Sequence, residues 1–455
     1  MEKTDTIVPT RLFGTDGVRG KAGTFPLDHA TVRRLGAALV RALPNGRTRS
    51  PHLLIGRDTR ESGSWIEAEL AHGAGGEGAS VTSVGVLPTP AVAYLTRAFE
   101  EYDAGVVISA SHNPFEDNGI KVFSGRGEKF TERVEREVEA IVADDSWQVR
   151  DGAPDEVPGA VLIESYLEHL RAVLSDPVPF RGFKLAIDCA NGATTTVAPG
   201  LFARLGFDTV VIGDRPDGRN INLHCGSTHP EQLAAEVVRS GAQLGVAFDG
   251  DGDRAIFVDH LGRVVNGDAV LLMCARQLQR EGRLPGNTIV ATVMSNIGLE
   301  IALRQSNIGI VRCPVGDKYV MEEMLARGLA LGGEQSGHVI FSEYLFTGDG
   351  LCTALNVLNT VAASGRTLAE LSDDLVNYPQ VLLNVRVREK ADLKGVPLVA
   401  EAIARVEAHV AQHGRVLVRY SGTEPLLRVM IEGKDHDEIR AWAQEIVDVV
   451  KRELG

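Results

Sequence analysis

The feature that most constrains this chain is a plan used three times: two strand-and-helix units, then a third apolar run that stops in a polar loop. In the first copy the strand-like HLLIGRDTR leads into the helical SWIEAELAHGAG, and VTSVGVLPTP leads into AVAYLTRAFEEY. The run Val106–Ile108 then ends at Ser111 in GVVISASHNP. The plan restarts with FKLAIDCANGATT, DTVVIGDRPDG and QLGVAFDGDGDR, and again with NTIVATVMSNIG, IGIVRCPVGDKYV and LALGGEQSGHVIF. Short apolar runs alternating with helical periodicity predict parallel sheets covered on both faces. The copies share a pattern and not residues, so the consequence is geometric. Three loops, SASHNP, DGDGDR and GGEQSGH, stand at the ends of third strands, where α/β sheets carry their chemistry.

From about Tyr378 the plan breaks. VLLNVRV, the helical PLVAEAIARVEAHVAQHG, RVLVRY, LLRVMIEG and a closing helix give the order β-α-β-β-α, with Ile439, Trp442, Ala443, Ile446 and Val450 on one apolar helix face. The polar, Pro- and Gly-bearing stretch 144–159 reads as a linker or hinge. At 455 residues the chain exceeds a single core. The expected fold is α/β: three related α/β/α domains and a smaller C-terminal α+β domain around a central cleft. The expected bounds are 1–155 with the Ser111 loop, 156–258 with DGDGDR, 259–372 with GGEQSGH, and 373–455.

A formal net charge of −14 argues against nucleic acid or an anionic membrane as partner. An acidic chain that binds an anion must therefore concentrate Arg and Lys locally. No apolar run approaches membrane-spanning length and the first residues carry no apolar signal core, so a soluble, cytoplasmic protein is expected. Cys189, Cys225, Cys274, Cys313 and Cys352 are scattered without C-x-x-C spacing, which suits reduced thiols rather than disulfides or zinc.

DGDGDR is the most specific local signal. Asp249, Asp251 and Asp253, separated by Gly250 and Gly252, put hard oxygen ligands on one tight turn, which suits magnesium completed by phosphate oxygens. An EF-hand needs a longer loop ending in Glu, whereas here the strand-like AIFVDH follows. Arg254 stands beside the metal, placed to steady a phosphoryl oxygen. Ser111, followed by His112, Asn113 and Pro114, offers a hydroxyl nucleophile beyond a strand end, although such residues also form ordinary turns. No Gly-x-Ser-x-Gly elbow surrounds it, so a hydrolase triad has little support. Glu334, Ser336 and His338 pair a carboxylate with a hydroxyl, a means of gripping sugar hydroxyls or an amine, or of capping the next element. RLFGTDGVRG spaces glycines around Thr15, Asp16 and Arg19, permitting close backbone approach to a ligand. RYSGTEPLLR clusters Arg419 and Arg428 with Ser421, Gly422 and Thr423, either as a plain hairpin or as a phosphate grip. Lys121 and Lys318 read as surface lysines or as parts of the same site. Together these loops define phosphoryl transfer on a small polyol.

On FGTDGVRG, GVVISASHNP…DNGIK, HCGSTHPE, AFDGDGDR, VGDKYV, GGEQSGH and SGTEPLLRV, in order over essentially the whole chain, the sequence resembles the α-D-phosphohexomutases. HCGSTHPE with GGEQSGH resembles their bacterial glucosamine branch more than the phosphomannomutase and phosphoglucomutase branch. The resemblance implies that Ser111 is phosphorylated in the resting enzyme and binds one Mg2+ with the three aspartates. It implies sugar contacts from Glu334 and Ser336, with Lys318 at a substrate-side position where Arg is common. It further implies a grip on the non-reacting phosphate by Arg419, Ser421, Gly422, Thr423 and Arg428. Lys121 and His338 match proton-transfer positions, Arg19 and Arg254 match active-site arginines, and His224 replaces a more usual Asn. The implied reaction interconverts glucosamine 6-phosphate and glucosamine 1-phosphate, feeding UDP-N-acetylglucosamine and cell-wall precursors. Glucosamine or glucose 1,6-bisphosphate would serve as intermediate or activator. The implied assembly is a homodimer, primed on Ser111 by an activating kinase or by autophosphorylation. A sugar-phosphate phosphatase could use the same nucleophile and aspartates, but a closing fourth domain speaks against it. A silent sugar-phosphate sensor fits poorly with a complete set of reactive residues.

Overall fold

The first of four sheets contains β1 (Phe13–Gly14), β2 (Gly17–Lys21), β3 (His52–Arg57), β4 (Ser80–Val86), β5 (Ala104–Ile108), β6 (Asp117–Ser124) and β7 (Glu156–Pro158), in the order β1-β2-β6-β5-β3-β4-β7. The second holds β8 (Lys184–Asp188), β9 (Asp208–Ile212), β10 (Leu244–Phe248), β11 (Ala255–Asp259) and β12 (Val264–Val265), in the order β12-β11-β10-β8-β9. The third holds β13 (Thr288–Thr292), β14 (Gly309–Cys313), β15 (Leu331–Gly333) and β16 (Val339–Phe341), in the order β14-β13-β15-β16. This is a computed structural model that describes residues 11–44, 49–152, 156–159, 161–174, 176–411, 413–421 and 425–455.

The threefold plan is visible as a shared strand order. In each sheet the copy's first strand lies between its second and third, all parallel: β3 between β4 and β5, β8 between β9 and β10, β13 between β14 and β15. The next strand then pairs antiparallel with the third, as β6 on β5, β11 on β10 and β16 on β15. The sheets are therefore mixed, where the alternation of strands and helices predicts purely parallel ones. The reason lies in the three loops, which are too short to hold the dozen or more residues of a parallel crossover and so turn the chain back on itself. Strands β5 and β10 are buried at every position, as expected of apolar runs inside a covered sheet. Helices His29–Ala42, Gly63–Gly76 and Glu132–Ala143 close the first core, setting Leu35, Leu39, Ile66, Leu70 and Val138 in one cluster with Leu53, Ile55 and Val106.

Two segments differ from expectation. The glycine-spaced run around Asp16 forms the hairpin β1–β2, which joins β6 through Val18 and Ile120. Gly17 has φ +80°, and a Cβ there would lie 2.3 Å from the Ile120 carbonyl oxygen, so only glycine fits. The stretch 144–159, read as a linker, is held to the first domain where it is described. The Trp147 ring lies between the guanidinium groups of Arg34 and Arg41, at 4.0 and 3.7 Å, and β7 pairs with β4.

The fourth sheet is antiparallel, β17 (Gln380–Arg386), β18 (Arg415–Tyr420) and β19 (Leu426–Glu432), in the order β17-β19-β18. Helices Pro397–Val410 and His436–Leu454 pack Val399, Val406, Ile439, Ile446 and Val450 on it. The compact unit built on this sheet comprises 374–455 together with 295–307, and the three α/β repeats form the other unit. Helix Ile297–Gln305 thus belongs to the C-terminal unit although it lies between β13 and β14 in the chain. Glu432 holds it, accepting from Ile297 N–H at 3.0 Å and Asn296 Nδ2 at 3.3 Å. Among the described residues no helix is long and apolar enough to cross a membrane.

Candidate active site

Ser111 lies three residues past the end of β5, buried, with φ +53°, a conformation that non-glycine residues adopt at a cost. Its N–H donates to Ser109 Oγ at 2.9 Å, and its Oγ donates to Asp249 Oδ2 at 2.5 Å. The first and second repeats are thereby joined at the serine. Close approach also requires Gly250, where a Cβ would stand 2.6 Å from the Ser111 carbonyl oxygen. Neighbouring His112 has its pKa pushed down to about 4 by burial and then by the Arg254 and Arg19 charges, so its ring is neutral at neutral pH.

Asp249, Asp251 and Asp253 are buried and bring one oxygen each within 4.8 Å of one another. Burial first, then the charges of Asp253 and Asp251, push the Asp249 carboxyl well above the usual range. Asp251 Oδ1 and Asp253 Oδ1 are buried without a hydrogen-bond partner. Clustered hard oxygens with unsatisfied lone pairs fit a divalent cation. Lys121, on β6, is fully buried, with its Nζ 2.8 Å from Asp251, 3.2 Å from Asp253 and 3.0 Å from Asp16. Burial disfavours its charge, but the three carboxylates outweigh it and hold Lys121 as an ammonium well above the usual lysine range. Asp253 is held well below the usual carboxylate range, where Lys121 and then His338 overcome the opposing effect of burial.

The third loop meets the second directly. Arg254 and His338 form a short antiparallel bridge, and Ala255 N–H donates to Gly337 O at 3.1 Å. His338 Nδ1 stands 3.6 Å from Asp253 Oδ1, and Nε2 accepts from Gly348 N–H at 3.0 Å, the arrangement of the Nδ1–H tautomer. Burial opposes protonation of this ring, while Asp253, Asp317 and Glu334 raise its pKa. Glu334 accepts from Gly316 N–H at 3.1 Å and from Ser336 Oγ at 3.2 Å. A cavity of about 370 Å³ opens over these groups, lined by Arg19, His112, Asp253, Arg254, Glu334 and His338 together with the 14–17 turn and residues 315–317. Ser111, Lys121 and Ser336 are not among its lining residues.

Lys318 is placed otherwise than its neighbours. Its Nζ donates to Glu135 Oε2 at 2.8 Å, on helix Glu132–Ala143, and it is not among the cavity-lining residues. Within the C-terminal unit, Arg419 and Arg428 face each other across β18 and β19, which puts both on one side of the sheet. Arg428 Nε is buried with no hydrogen-bond partner among the described residues. Ser421 is buried, and its carbonyl accepts from Lys390 Nζ at 2.7 Å, bringing a third cation to this turn. Gly422 and Thr423 lie outside the described residues.

Sequence reasoning left several groups unassigned. Asp16 and Asp317 share Lys129, whose ammonium is buried between them and raised in pKa, with burial opposing and both carboxylates prevailing. Thr89, at the start of a helix in the first repeat, donates from Oγ1 to Asp251 Oδ2 at 2.5 Å. The only sequence signal for these residues is proximity to motifs already noticed: Asp16 lies in FGTDGVRG and Asp317 in VGDKYV.

Four family models match in order. Phosphoglucomutase/phosphomannomutase alpha/beta/alpha domain I covers residues 10–149, domain II 164–262, domain III 266–378 and the C-terminal domain 382–449. The fold is that of this α-D-phosphohexomutase class. The chain is 51% identical over 98% of its length, and 99% of the relative's, to the phosphoglucosamine mutase of Solibacter usitatus. It is 46% identical to that of Syntrophotalea carbinolica, over 98% of both chains. A phosphoglucomutase/phosphomannomutase family protein from Burkholderia thailandensis matches in structure with a TM-score of 0.80 and 26% identity, over 97% of each chain. The chain belongs to the phosphoglucosamine mutase branch of the phosphoglucomutase/phosphomannomutase family.

Proposed function

We propose that the protein is an intramolecular phosphotransferase that interconverts glucosamine 6-phosphate and glucosamine 1-phosphate through a phosphoserine at position 111. The observation that carries this reading is the Ser111 hydroxyl, 2.5 Å from Asp249 in a buried three-aspartate cluster beside a polar cavity. In the first half-reaction a sugar hydroxyl oxygen bonds to the phosphorus as the Ser111 Oγ–P bond breaks, giving a 1,6-bisphosphate. In the second, Ser111 takes the opposite phosphate from the reoriented bisphosphate. Lys121 and His338 handle the proton exchanged at each step, with Lys121 entering as an ammonium. Arg19 and Arg254 line the cavity and meet phosphoryl oxygens, while Arg419, Ser421, Gly422, Thr423 and Arg428 hold the phosphate that stays. Magnesium, held by Asp249, Asp251, Asp253 and a phosphoserine oxygen, would supply charge neutralisation at the transferring group.

The cavity lining carries Asp16, Asp253, Asp317 and Glu334 against Arg19 and Arg254, a mixture that suits a sugar bearing both an ammonium and a phosphate. A carboxylate pairs with the 2-ammonium more strongly than with a neutral 2-hydroxyl, supporting roughly a five- to thirty-fold preference for the amino sugar. The family resemblance supports a cytoplasmic homodimer primed on Ser111 by an activating kinase or by autophosphorylation. The deciding measurement is kcat/KM for glucosamine 1-phosphate against glucose 1-phosphate and mannose 1-phosphate at matched magnesium and bisphosphate. The amino sugar should lead; a higher value for glucose or mannose assigns the protein to the other branch of the family. Inorganic phosphate released at the rate of sugar turnover would make it a phosphatase.

A further inference from the structure

We propose that Arg60 is a positioning residue for phosphoryl transfer: its buried guanidinium locks the Ser111 loop in the conformation that presents the serine to the aspartate cluster. The inference rests on reading Ser111 as the phosphoryl carrier and goes beyond it, because Arg60 touches neither the aspartates' free oxygens nor the cavity. Arg60 follows β3 in GRDTR, a stretch that by sequence is only a charged loop, yet it is among the largest fully buried side chains in the protein.

A guanidinium has five N–H groups in one plane, and here each finds an acceptor. Nε donates to Asp58 Oδ2 at 2.8 Å. One terminal nitrogen donates to the Ser111 carbonyl at 3.0 Å and the Asn113 carbonyl at 2.9 Å. The other donates to the Pro114 carbonyl and, at 2.9 Å, to the Asp117 carbonyl. Four carbonyls of one loop thus converge on a single side chain. Asp58 completes the lock from the other side. Its Oδ2 accepts from Ser109 Oγ at 2.6 Å, and Ser109 Oγ in turn accepts the Ser111 N–H at 2.9 Å. Both peptide groups of the left-handed Ser111 are therefore tied to the Asp58–Arg60 pair. Asn222, from the second repeat, adds donors to the same Ser111 and Asn113 carbonyls at 2.9 and 3.2 Å.

The arrangement asks for arginine specifically. Lysine offers three donors from one point and cannot reach carbonyls spread around a planar fork. Losing the hub takes one charged donor from each of four loop carbonyls and leaves Asp58 without its counter-charge, so the loop shifts to regain partners. A nucleophile displaced by about 1 Å can lose on the order of 100-fold in rate while substrate binding elsewhere is untouched.

The test uses the full-length protein as wild type, Arg60→Lys and Asn222→Ala. Phosphate on Ser111 is quantified by intact-protein mass spectrometry, and its transfer to glucosamine 6-phosphate is followed in a single turnover alongside steady-state kcat and KM. Folded Arg60→Lys should transfer about 100-fold more slowly, with KM for the sugar within about threefold of wild type. Asn222→Ala should show the same split at about 10-fold, which decides the matter if Arg60→Lys does not fold. Wild-type transfer by folded Arg60→Lys, or by Asn222→Ala if that is the only folded variant, overturns the proposal, as does a rise in KM at unchanged kcat. A wild-type enzyme that turns over with no phosphate ever on Ser111 removes the serine reading itself, and the lock with it.

Discussion

Replacing Thr89 by Val should weaken metal binding without touching a metal ligand or the cavity. Thr89 is fully buried, and it grips Asp251 twice: Oγ1 donates to Oδ2 at 2.5 Å, and the backbone N–H donates to the Asp251 carbonyl at 2.9 Å. Valine has nearly the same shape but no hydroxyl, so Asp251 Oδ2 keeps only Lys121, at 2.8 Å. A buried hydrogen bond to a charged group contributes about 1.5–3 kcal/mol. If its work is to aim the unpartnered Oδ1 at the cation, most of that loss appears in metal affinity as about 10- to 100-fold, the usual range for a group behind a ligand. Calorimetric titration of Mg2+ into the variant, with the Mg2+ dependence of kcat/KM, reads the shift directly. At saturating magnesium kcat should return to near the wild-type value, because the reacting groups are in place. Unchanged affinity in a folded Thr89→Val protein would show that the DGDGDR turn alone sets the aspartate, and the hydrogen bond is incidental.

Ser111→Ala should fold, lack the phosphate adduct in intact-protein mass spectrometry and show no mutase turnover; a variant that turns over fully ends the phosphoserine mechanism. Gly250→Ala puts a Cβ 2.6 Å from the Ser111 carbonyl oxygen and 2.8 Å from Asn222 Nδ2, and should lower stability by about 1–3 kcal/mol in thermal unfolding as well as slowing transfer from Ser111. An unfolding midpoint and rate equal to wild type would mean the two loops separate at no cost. Asp349, buried at the start of helix Gly350–Ser364, has its pKa pushed up to about 6 by burial. Because the folded value lies above the unfolded one near 4, its acid form stabilises the fold fully below about pH 4, and that contribution is lost as pH rises through about 6. Asn keeps its Oδ1 as acceptor for Cys352 N–H and turns an Nδ2–H donor to the Tyr166 hydroxyl oxygen, which accepts it, so Asp349→Asn should gain up to about 3 kcal/mol on wild type between pH 4 and pH 7 in denaturant titrations. Parallel stability curves for the two proteins would contradict that shift.

How much of this was legible in the sequence depended on whether a residue's partners were local. The repeated plan and the third-strand loops follow from periodicity, and DGDGDR carries its own meaning because its ligands alternate within six residues. The doubling back of β6, β11 and β16 was also within reach, since only a short polar loop separates each from the strand before it. Charged residues whose partners are remote were not. Lys121 reads as a surface lysine until Asp16, Asp251 and Asp253 are folded around it, and Lys318 becomes an ion-pair partner of Glu135 only in three dimensions. Arg60 sits in a loop that looks solvated and is wholly buried, because four of the five acceptors that satisfy it lie more than fifty residues on. The stretch around Trp147 looked like a linker on composition, and two arginines from one helix hold it.

The charge arrangement also explains why one side chain in the cluster stands apart from the other acids. Asp16, Asp249, Asp251, Asp253, Asp317 and Glu334 crowd around Arg19, Lys121, Lys129 and Arg254, so even a protonated His338 leaves the carboxylates in excess. Asp253 and Asp16 are held ionised because Lys121 lies against both. Asp249 has no lysine: it has the Ser111 hydroxyl, and its acid form is favoured by burial and by the two neighbouring aspartates. The carboxylate nearest the serine is thus one whose ionised form an added positive charge would favour. A divalent cation at the cluster would relieve that repulsion where a phosphoryl group must sit, coupling metal binding to the readiness of Ser111. The DGDGDR turn is suited to this because Gly250 brings it against the Ser111 backbone, while Lys121 neutralises the two aspartates farther along.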